Sequence, residues 1–490
     1  MEPIEDKVKV EVNDIFRLYA ELYKATYRPF PNSNWSNWAR QLKVIQAIQR
    51  CRTAQLGGHK EKCNTCGAIR ISYNSCRNRH CPKCQSLPAE KWILNRRAEI
   101  LPTHYFHVVF TLPKGLNPLI INNFCHQQVV YNILFKAASQ TLLQLAQDKK
   151  NLDAKVGIIG ILHTWGQNLM LHPHIHFLVT GGGLRQLSVD NVDKVDNIDN
   201  NEYEWVSTRK NFLLDVKAMS ALFKKKFLTF LEDSYNHNHL NLPGKIKSDV
   251  SEASDSTPGK IPDPDIATDS ASRLASASAS DSDKNFQKLI QEWHDLKNKE
   301  WVVFCKPTMR TPQKILEYFG RYTHRVAISN RRLIKVENGR VFFKWKDYKD
   351  RNKVKIMSLD AVEFIRRFLL HVLPKKFVKI RYYGIYGNRN RKETIQRCQT
   401  LLAIEDGEDG AGGEGVPQGT QSNSNPTDKK WWEILYERKG IDITLCPFCQ
   451  LGHMVYKEKL LPIGNNFPPD YNSNDNDTRG PPASGWRNAW

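Results

Sequence analysis

The stretch ILHTWGQNLMLHPHIHFLVTGGG, residues 161–183, sets His172, His174 and His176 at every second position of an apolar run that closes on three glycines. In extended backbone, residues i, i+2 and i+4 share one face. The three imidazoles therefore project together, and Ile175, Phe177 and Val179 take the other side. Burying that much polar surface without partners is costly. A divalent ion would satisfy the rings and keep positions open for phosphate oxygens. A His-x-His pair alone is a weak motif. The Asp-His that follows it in metallo-β-lactamase-like hydrolases is replaced here by FLVTGG, which argues against that class. Gly181, Gly182 and Gly183 allow close backbone approach at the strand end.

Working outward, VGIIGILHTWG reads as a strand beside the histidine strand. HYFHVVFTLP, residues 104–113, is β-branched and aromatic up to its proline and reads as a third. Residues 118–147 carry a helical pattern, as do residues 10–50 and LPAEKWILNRRAEIL. Downstream, ILEYFGRYTHRVAI carries Tyr318 and Tyr322, an i, i+4 pair one turn apart on a helix face. Alone, such a pair reads as packed core. Its company of Arg321, His324, Arg325, Arg331 and Arg332 points instead to a polar reaction site. A tyrosine oxygen beside a metal-bound phosphate can act as a nucleophile once a cation helps it ionise.

The segment CRTAQLGGHKEKCNTCGAIRISYNSCRNRHCPKCQ supplies eight candidate zinc ligands: Cys51, His59, Cys63, Cys66, Cys76, His80, Cys81 and Cys84. Cys63-x2-Cys66 and Cys81-x2-Cys84 are knuckles whose two thiolates turn toward one tetrahedral ion. Gly67 supplies the tight turn after the first. Two zinc ions are expected, with Cys51, His59, Cys76 and His80 completing the sets, as structural staples that leave no open coordination position. Interleaved Arg77, Arg79 and Lys83 make the module a DNA-contacting surface. A later CPFCQLGH, with Cys446, Cys449 and His453, is half a site that either recruits further ligands or is a packed turn.

The chain has 490 residues, 72 Lys and Arg against 51 Asp and Glu, and a formal charge of +21. Such a balance points to a polyanion partner. No apolar run reaches membrane-spanning length, and the start MEPIEDKVKVEV lacks a signal-peptide core. A cytoplasmic protein is expected, associated with the nucleoid through DNA. The expected organisation is a helical region 1–50, a zinc-binding domain 51–100 and a first core part 101–242. A Ser/Asp/Ala-rich disordered insertion follows at 243–285. A basic second core part at 286–403 bears the tyrosine helix. Then come a disordered linker 404–430, a small CxxC segment 431–464 and a disordered tail 465–490.

Together, CRTAQLGGH, YNSCRNRHCPKCQ, HVVFTLP, LHTWGQNLMLHPHIHFLVTGGGL, YFGRYTHRVAISN and HVLPKKFVKIRYYG resemble the rolling-circle transposases of the IS91 group, two-tyrosine members of the HUH endonuclease superfamily. The resemblance covers about residues 45–390 outside the insertion. It implies an α+β fold, with a central antiparallel sheet flanked by helices behind the helical segment and zinc ribbon. It also implies nicking and rejoining of single-stranded and hairpin DNA at transposon ends, and joining to target DNA. The nucleophiles it implies are Tyr318 and Tyr322. His174 and His176 then hold Mg²⁺ or Mn²⁺, with zinc as the competing ion, and His172 supports them. Gln167 is the first choice for third ligand and His163 the second. Arg321, Arg325 and Arg381 join the DNA-contacting set. Three other readings stay open: a plasmid-type replication initiator, a zinc-ribbon DNA-binding protein with an inactive core, and a phosphodiesterase that uses water.

Overall fold

Two helices open the described chain in this computed structural model. It describes residues 10–28, 35–121, 124–187, 203–237, 239–240, 295–308, 312–324, 326–348, 350–408 and 430–463. The insertion at 243–285, most of the expected linker 404–430 and the tail 465–490 lie outside these. In α1 (Val12–Tyr27), Val12, Ile15, Phe16, Ala20 and Tyr23 recur at helical spacing and are buried. α2 (Trp35–Arg50) packs beside it, and Asn13 Nδ2 donates to the Ile48 carbonyl at 2.7 Å. A short antiparallel hairpin follows, β1 (Gly58–Cys63) and β2 (Ile69–Tyr73), then α3 (Ser86–Arg97).

The central sheet is built from β3 (Tyr105–Thr111), β4 (Lys155–Trp165), β5 (Leu171–Gln186), β6 (Tyr203–Ser207), β7 (Val303–Pro307) and β11 (Ile380–Gly384). Its order is β11-β4-β5-β3-β7, every pairing antiparallel, with β6 on the far half of β5. The α+β class and the antiparallel sheet flanked by helices agree with the sequence reading. One detail differs: β5 does not stop at the glycines but runs through them to Gln186. The ring of His104 lies where a Cβ on Gly181 would be, and the Trp205 ring occupies that place at Gly182. The glycines thus admit neighbouring rings onto a continuing strand.

Period-two alternation divides the sheet cleanly. Phe106, Val108 and Phe110, Val156, Ile158 and Leu162, and Ile175, Phe177 and Val179 share one core with α5 (Phe124–Gln147) and α6 (Val216–Asn236). A short helix, α4 (Asn117–Ile121), leads into that layer. The opposite face presents Tyr105, Ile159, Ile161 and Leu178 to α3, α7 (Pro312–Thr323) and α9 (Arg391–Glu408). Gly320 lets α7 approach α3, because a Cβ there would meet Ile93 Cδ1 at 2.6 Å.

A second three-stranded sheet, β8 (Leu333–Glu337), β9 (Arg340–Asp347) and β10 (Lys353–Asp360), packs with α8 (Ala361–Leu369) against α1 and α2. The Phe16 and Phe368 rings meet edge to face at 5.3 Å. At the end of the described chain come α10 (Trp431–Lys439) and β12 (Met454–Leu460). The segment read as a small unit of its own at 431–464 instead joins the zinc-binding hairpin. β12 pairs antiparallel with β1, giving the order β12-β1-β2. Among the described residues, no helix is long and apolar enough to cross a membrane.

Candidate active site and metal centres

The helix-covered polar end of the central sheet gathers four histidines. His163 on β4 pairs directly with His174 on β5, and Ile161 with His176. His107 on β3 lies opposite Leu178, diagonal to His176. All four fall on the face away from the Phe106–Phe177 core, because each sits at the alternate position of its strand. One ligand atom from each of His163, His174 and His176 lies within 4.8 Å of the others. The ring of His172 is 5.1 Å from that of His174, outside this triad.

Hydrogen bonds fix the tautomers, since a carbonyl can only accept. His163 Nε2 is 2.8 Å from the Tyr322 carbonyl, so Nε2 carries the proton and Nδ1 the lone pair. His174 Nδ1 is 2.6 Å from the His172 carbonyl, which leaves the lone pair on Nε2. Backbone carbonyls thus orient two imidazoles in the way that outer partners orient metal-bound histidines. His176 Nδ1 is 2.8 Å from His107 Nε2. Burial brings the His107 imidazole down to about 4, so it is neutral near pH 7.

The two tyrosines stand over this cluster. α7 buries Ile315, Leu316 and Phe319, which turns Tyr318 and Tyr322 toward the histidines. Tyr318 Oη is 3.1 Å from His107 Nδ1, and the Tyr322 hydroxyl donates to Tyr318 Oη at 3.2 Å. The Tyr322 ring lies 4.4 Å from that of His176. A continuous chain of contacts therefore joins both phenols to the histidine triad. His107 was missed from the sequence because one histidine in an apolar strand reads as core. Its alternation with Phe106 and Val108 was the available signal.

Gln167, the first choice for third ligand, is directed elsewhere. It sits in the β4–β5 turn, where its amide donates to the Tyr348 hydroxyl at 3.0 Å and its carbonyl accepts from Arg332. Arg367 and His371 hold the neighbouring carbonyls of Asn168 and Leu169 at 3.1 and 3.0 Å. The turn is thereby tied to the second sheet and α8, and the residue brought to His174 and His176 is His163, the second choice.

The cysteines form two tetrads, Cys51, Cys76, Cys81, Cys84 and Cys63, Cys66, Cys446, Cys449, each with its sulphurs within 4.8 Å. Cys51 and Cys76 lie 3.5 and 3.6 Å from Cys84, and the Cys63–Cys449 and Cys66–Cys446 separations are both 3.7 Å. A tetrahedral zinc with Zn–S bonds near 2.3 Å spaces its sulphurs by about 3.8 Å. The separations are far too long for disulfides. Backbone N–H groups of Thr65 and Cys66 donate to Cys63 Sγ. Those of Gly452 and Leu451 hold the Cys449 thiol down to about 6. Both tetrads fit structural zinc with four thiolates and no open position.

His59 and His80 stand outside both tetrads. His59 lies on β1 with Nε2 3.6 Å from Glu61. His80 Nε2 accepts from the Leu373 N–H at 3.1 Å, and burial holds it neutral, down to about 3. In the second tetrad, Cys446 and Cys449 are the residues that join Cys63 and Cys66. The late CxxC recruits the first knuckle rather than a local residue.

Of the basic residues expected to touch DNA, Arg77 and Arg79 are exposed. Lys83 is paired with Glu11. Arg381 lies 4.2 Å over the Phe135 ring and donates to Asn132 Oδ1, a packing position. Arg325 and the Arg321 side chain lie outside the described residues. Arg79, Trp165, His371 and Lys379 line a small cleft. Trp165 stacks on His163 at 4.5 Å between ring centres, so this cationic cleft adjoins the histidine triad.

The chain is similar to known transposases over most of its length. A family model described as "Putative transposase" matches residues 157–394, and one described as "Transposase zinc-binding domain" matches residues 16–112. The chain is 38% identical over 445 residues to "Putative transposase y4qJ" of Sinorhizobium fredii, covering 91% of this chain and 94% of that protein. It is 26% identical over 358 residues to "Transposase for insertion sequence element IS801" of Pseudomonas savastanoi pv. phaseolicola, covering 71% of each. No solved structure matches. The first model spans the triad and both tyrosines, the second spans the Cys51–Cys84 cluster, and the chain belongs to the IS91 family of transposases.

Proposed function

We propose that this transposase nicks and rejoins single-stranded DNA at transposon ends through a 5′-phosphotyrosine intermediate. The observation that carries the reading is the linked pair of phenols, Tyr322 on Tyr318 at 3.2 Å, joined through His107 to His176 of the triad. His163, His174 and His176 would hold a divalent ion. Three imidazoles with no carboxylate in the group suit Mn²⁺ better than Mg²⁺, whose preference is for oxygen ligands. When bound, such an ion withdraws charge from the non-bridging oxygens of the scissile phosphate.

The protein's own groups do the rest. A tyrosine oxygen attacks phosphorus in line, the bond to the 3′ oxygen breaks, and the phenolic proton ends on that oxygen as a free 3′-OH. The phosphoester is conserved as a protein link, so a later 3′-OH can reverse the step without ATP. Two phenols one turn apart allow a second strand to be cut while the first stays attached, as rolling-circle transposition requires. Arg79 and Lys379 beside the triad favour the phosphates of a flanking strand. Partners are accordingly the single-stranded or hairpin ends and target DNA, met in the cytoplasm.

The test uses single-stranded oligonucleotides tiling the DNA on either side of this chain's gene, with Mn²⁺, and looks for an adduct that survives denaturation. An adduct absent from the Tyr318→Phe/Tyr322→Phe double variant and from His174→Ala supports the reading. Cleavage with no adduct would establish a water-using phosphodiesterase. Binding without cleavage would leave a DNA-binding module with an inactive core.

A further inference from the structure

The two tyrosines are not equivalent, and the direction of the hydrogen bonds separates them. His176 offers one ring nitrogen to the triad, and its Nδ1 meets His107 Nε2 at 2.8 Å. If Nε2 keeps its lone pair for an ion, Nδ1 carries the proton and donates it to His107. A neutral imidazole that accepts at Nε2 must carry its own proton on Nδ1. That proton points at Tyr318 Oη, 3.1 Å away. Tyr322 also donates its hydroxyl to Tyr318 Oη, at 3.2 Å. Tyr318 Oη is therefore a double acceptor, whereas Tyr322 has its proton engaged in reaching it.

We infer that His107 is a positioning residue which, through the tautomer it imposes, makes Tyr318 the nucleophile of the first strand cut and leaves Tyr322 for the second. The inference rests on the phosphotyrosine reading above. Two donors meet the charge that grows on Tyr318 Oη as its own proton departs, and charge-assisted hydrogen bonds are the strong ones. In the first step the Tyr318 Oη–P bond forms and the P–O3′ bond breaks. The phenolic proton ends on the 3′ oxygen, and no oxidant or co-reactant is needed. His107 touches neither DNA nor ion in this account. The T-shaped packing of its ring against Phe304 and Phe319 keeps both nitrogens aligned.

The sequence provides its own assay. Trypsin cutting after Lys314 and Arg321 places Tyr318 in Ile315–Arg321 and Tyr322 in Tyr322–Arg325. Wild-type protein is given Mn²⁺ and the tiled single-stranded oligonucleotides for a single nicking event, then digested, and the nucleotide-bearing peptide is identified by mass. The adduct is expected on Ile315–Arg321. An adduct on Tyr322–Arg325 overturns this inference and leaves the phosphotyrosine reading standing. DNA cut with no adduct on either peptide overturns both.

A second measurement involves no DNA. Calorimetric Mn²⁺ binding is expected to weaken about tenfold or more in His107→Phe, which fills the same space without either hydrogen bond. His107→Gln, which keeps an acceptor and a donor, is expected to recover most of that loss. Unchanged Mn²⁺ affinity in a folded His107→Phe protein overturns the role given to His107.

Discussion

His163 and His174 face each other as a register pair across β4 and β5, with ring centres 5.6 Å apart. The neighbouring Gln167 points to Tyr348 instead. His163→Ala is therefore expected to weaken Mn²⁺ binding by one to two orders of magnitude, and Gln167→Ala by less than about threefold. Calorimetry on the two variants decides it. The reverse ranking would return the third-ligand role to Gln167.

The cysteine tetrads predict two zinc ions per chain by elemental analysis, falling to one in Cys446→Ser and to one in Cys76→Ser. Because structural zinc contributes folding energy directly, Cys446→Ser should also free the C-terminal strand. Hydrogen exchange in β12 is expected to rise with that variant. Retention of both ions in it would contradict the second tetrad.

Acid should destabilise the fold over a defined window. Burial depresses both His371 and His324 to about 4, below the usual 6.5. Between those values the unfolded chain binds the extra proton and the folded chain does not, so stability is full above about pH 6.5. The contribution of these two falls as pH drops toward 4 and levels off below that. His371, buried between Thr164 and the Leu169 carbonyl, accounts for on the order of 2–3 kcal/mol of this. Melting temperature followed from pH 7 to 4 should fall less steeply in His371→Gln than in wild type.

Arg438 is buried against Glu90 of α3 at 3.0 Å and lies 3.6 Å from Glu317 on the tyrosine helix. Glu90→Gln leaves that guanidinium without its close partner, at a cost of about 3 kcal/mol. Chemical denaturation should report the loss. A loss below about 1 kcal/mol would mean that Glu317 suffices.

Arg79 and Lys379 bound the cleft beside Trp165. Removing either is expected to weaken binding of single-stranded oligonucleotides about equally at all sequences and to flatten the log–log salt slope by about 0.7. Arg381→Ala, whose guanidinium packs on Phe135, should lower the melting temperature more than it changes that slope.

The centre of the fold was legible because it obeys a local rule. Phe106, Ile175 and Phe177 alternate with polar residues, and Tyr318 and Tyr322 repeat at one helical turn, so faces could be assigned from spacing alone. What escaped was non-local. CxxC spacing announced two knuckles, but nothing near Cys63 says that its partners come from position 446 onward. His59 and His80 had suitable spacing, yet β1 pairing turns one toward Glu61 and burial commits the other to the Leu373 amide. Gln167 was misplaced for a similar reason. Its orientation is set by Arg332, Tyr348 and Arg367, all on elements more than 160 positions away. Arg381 looked like one more cation in a basic block, because aromatic packing beneath a guanidinium leaves no mark on the sequence.

The pairing of β1 with β12 also sets an order of events during synthesis. Gly58 emerges from the ribosome early and Leu460, its register partner, about 400 residues later. At the usual pace of about 5–20 residues per second, the first knuckle waits tens of seconds for the strand that completes it. A chain whose translation stops short of Cys446 can build its central sheet and bring its tyrosines to the histidines, but it carries an open sheet edge and two unmatched thiols at its N-terminal end.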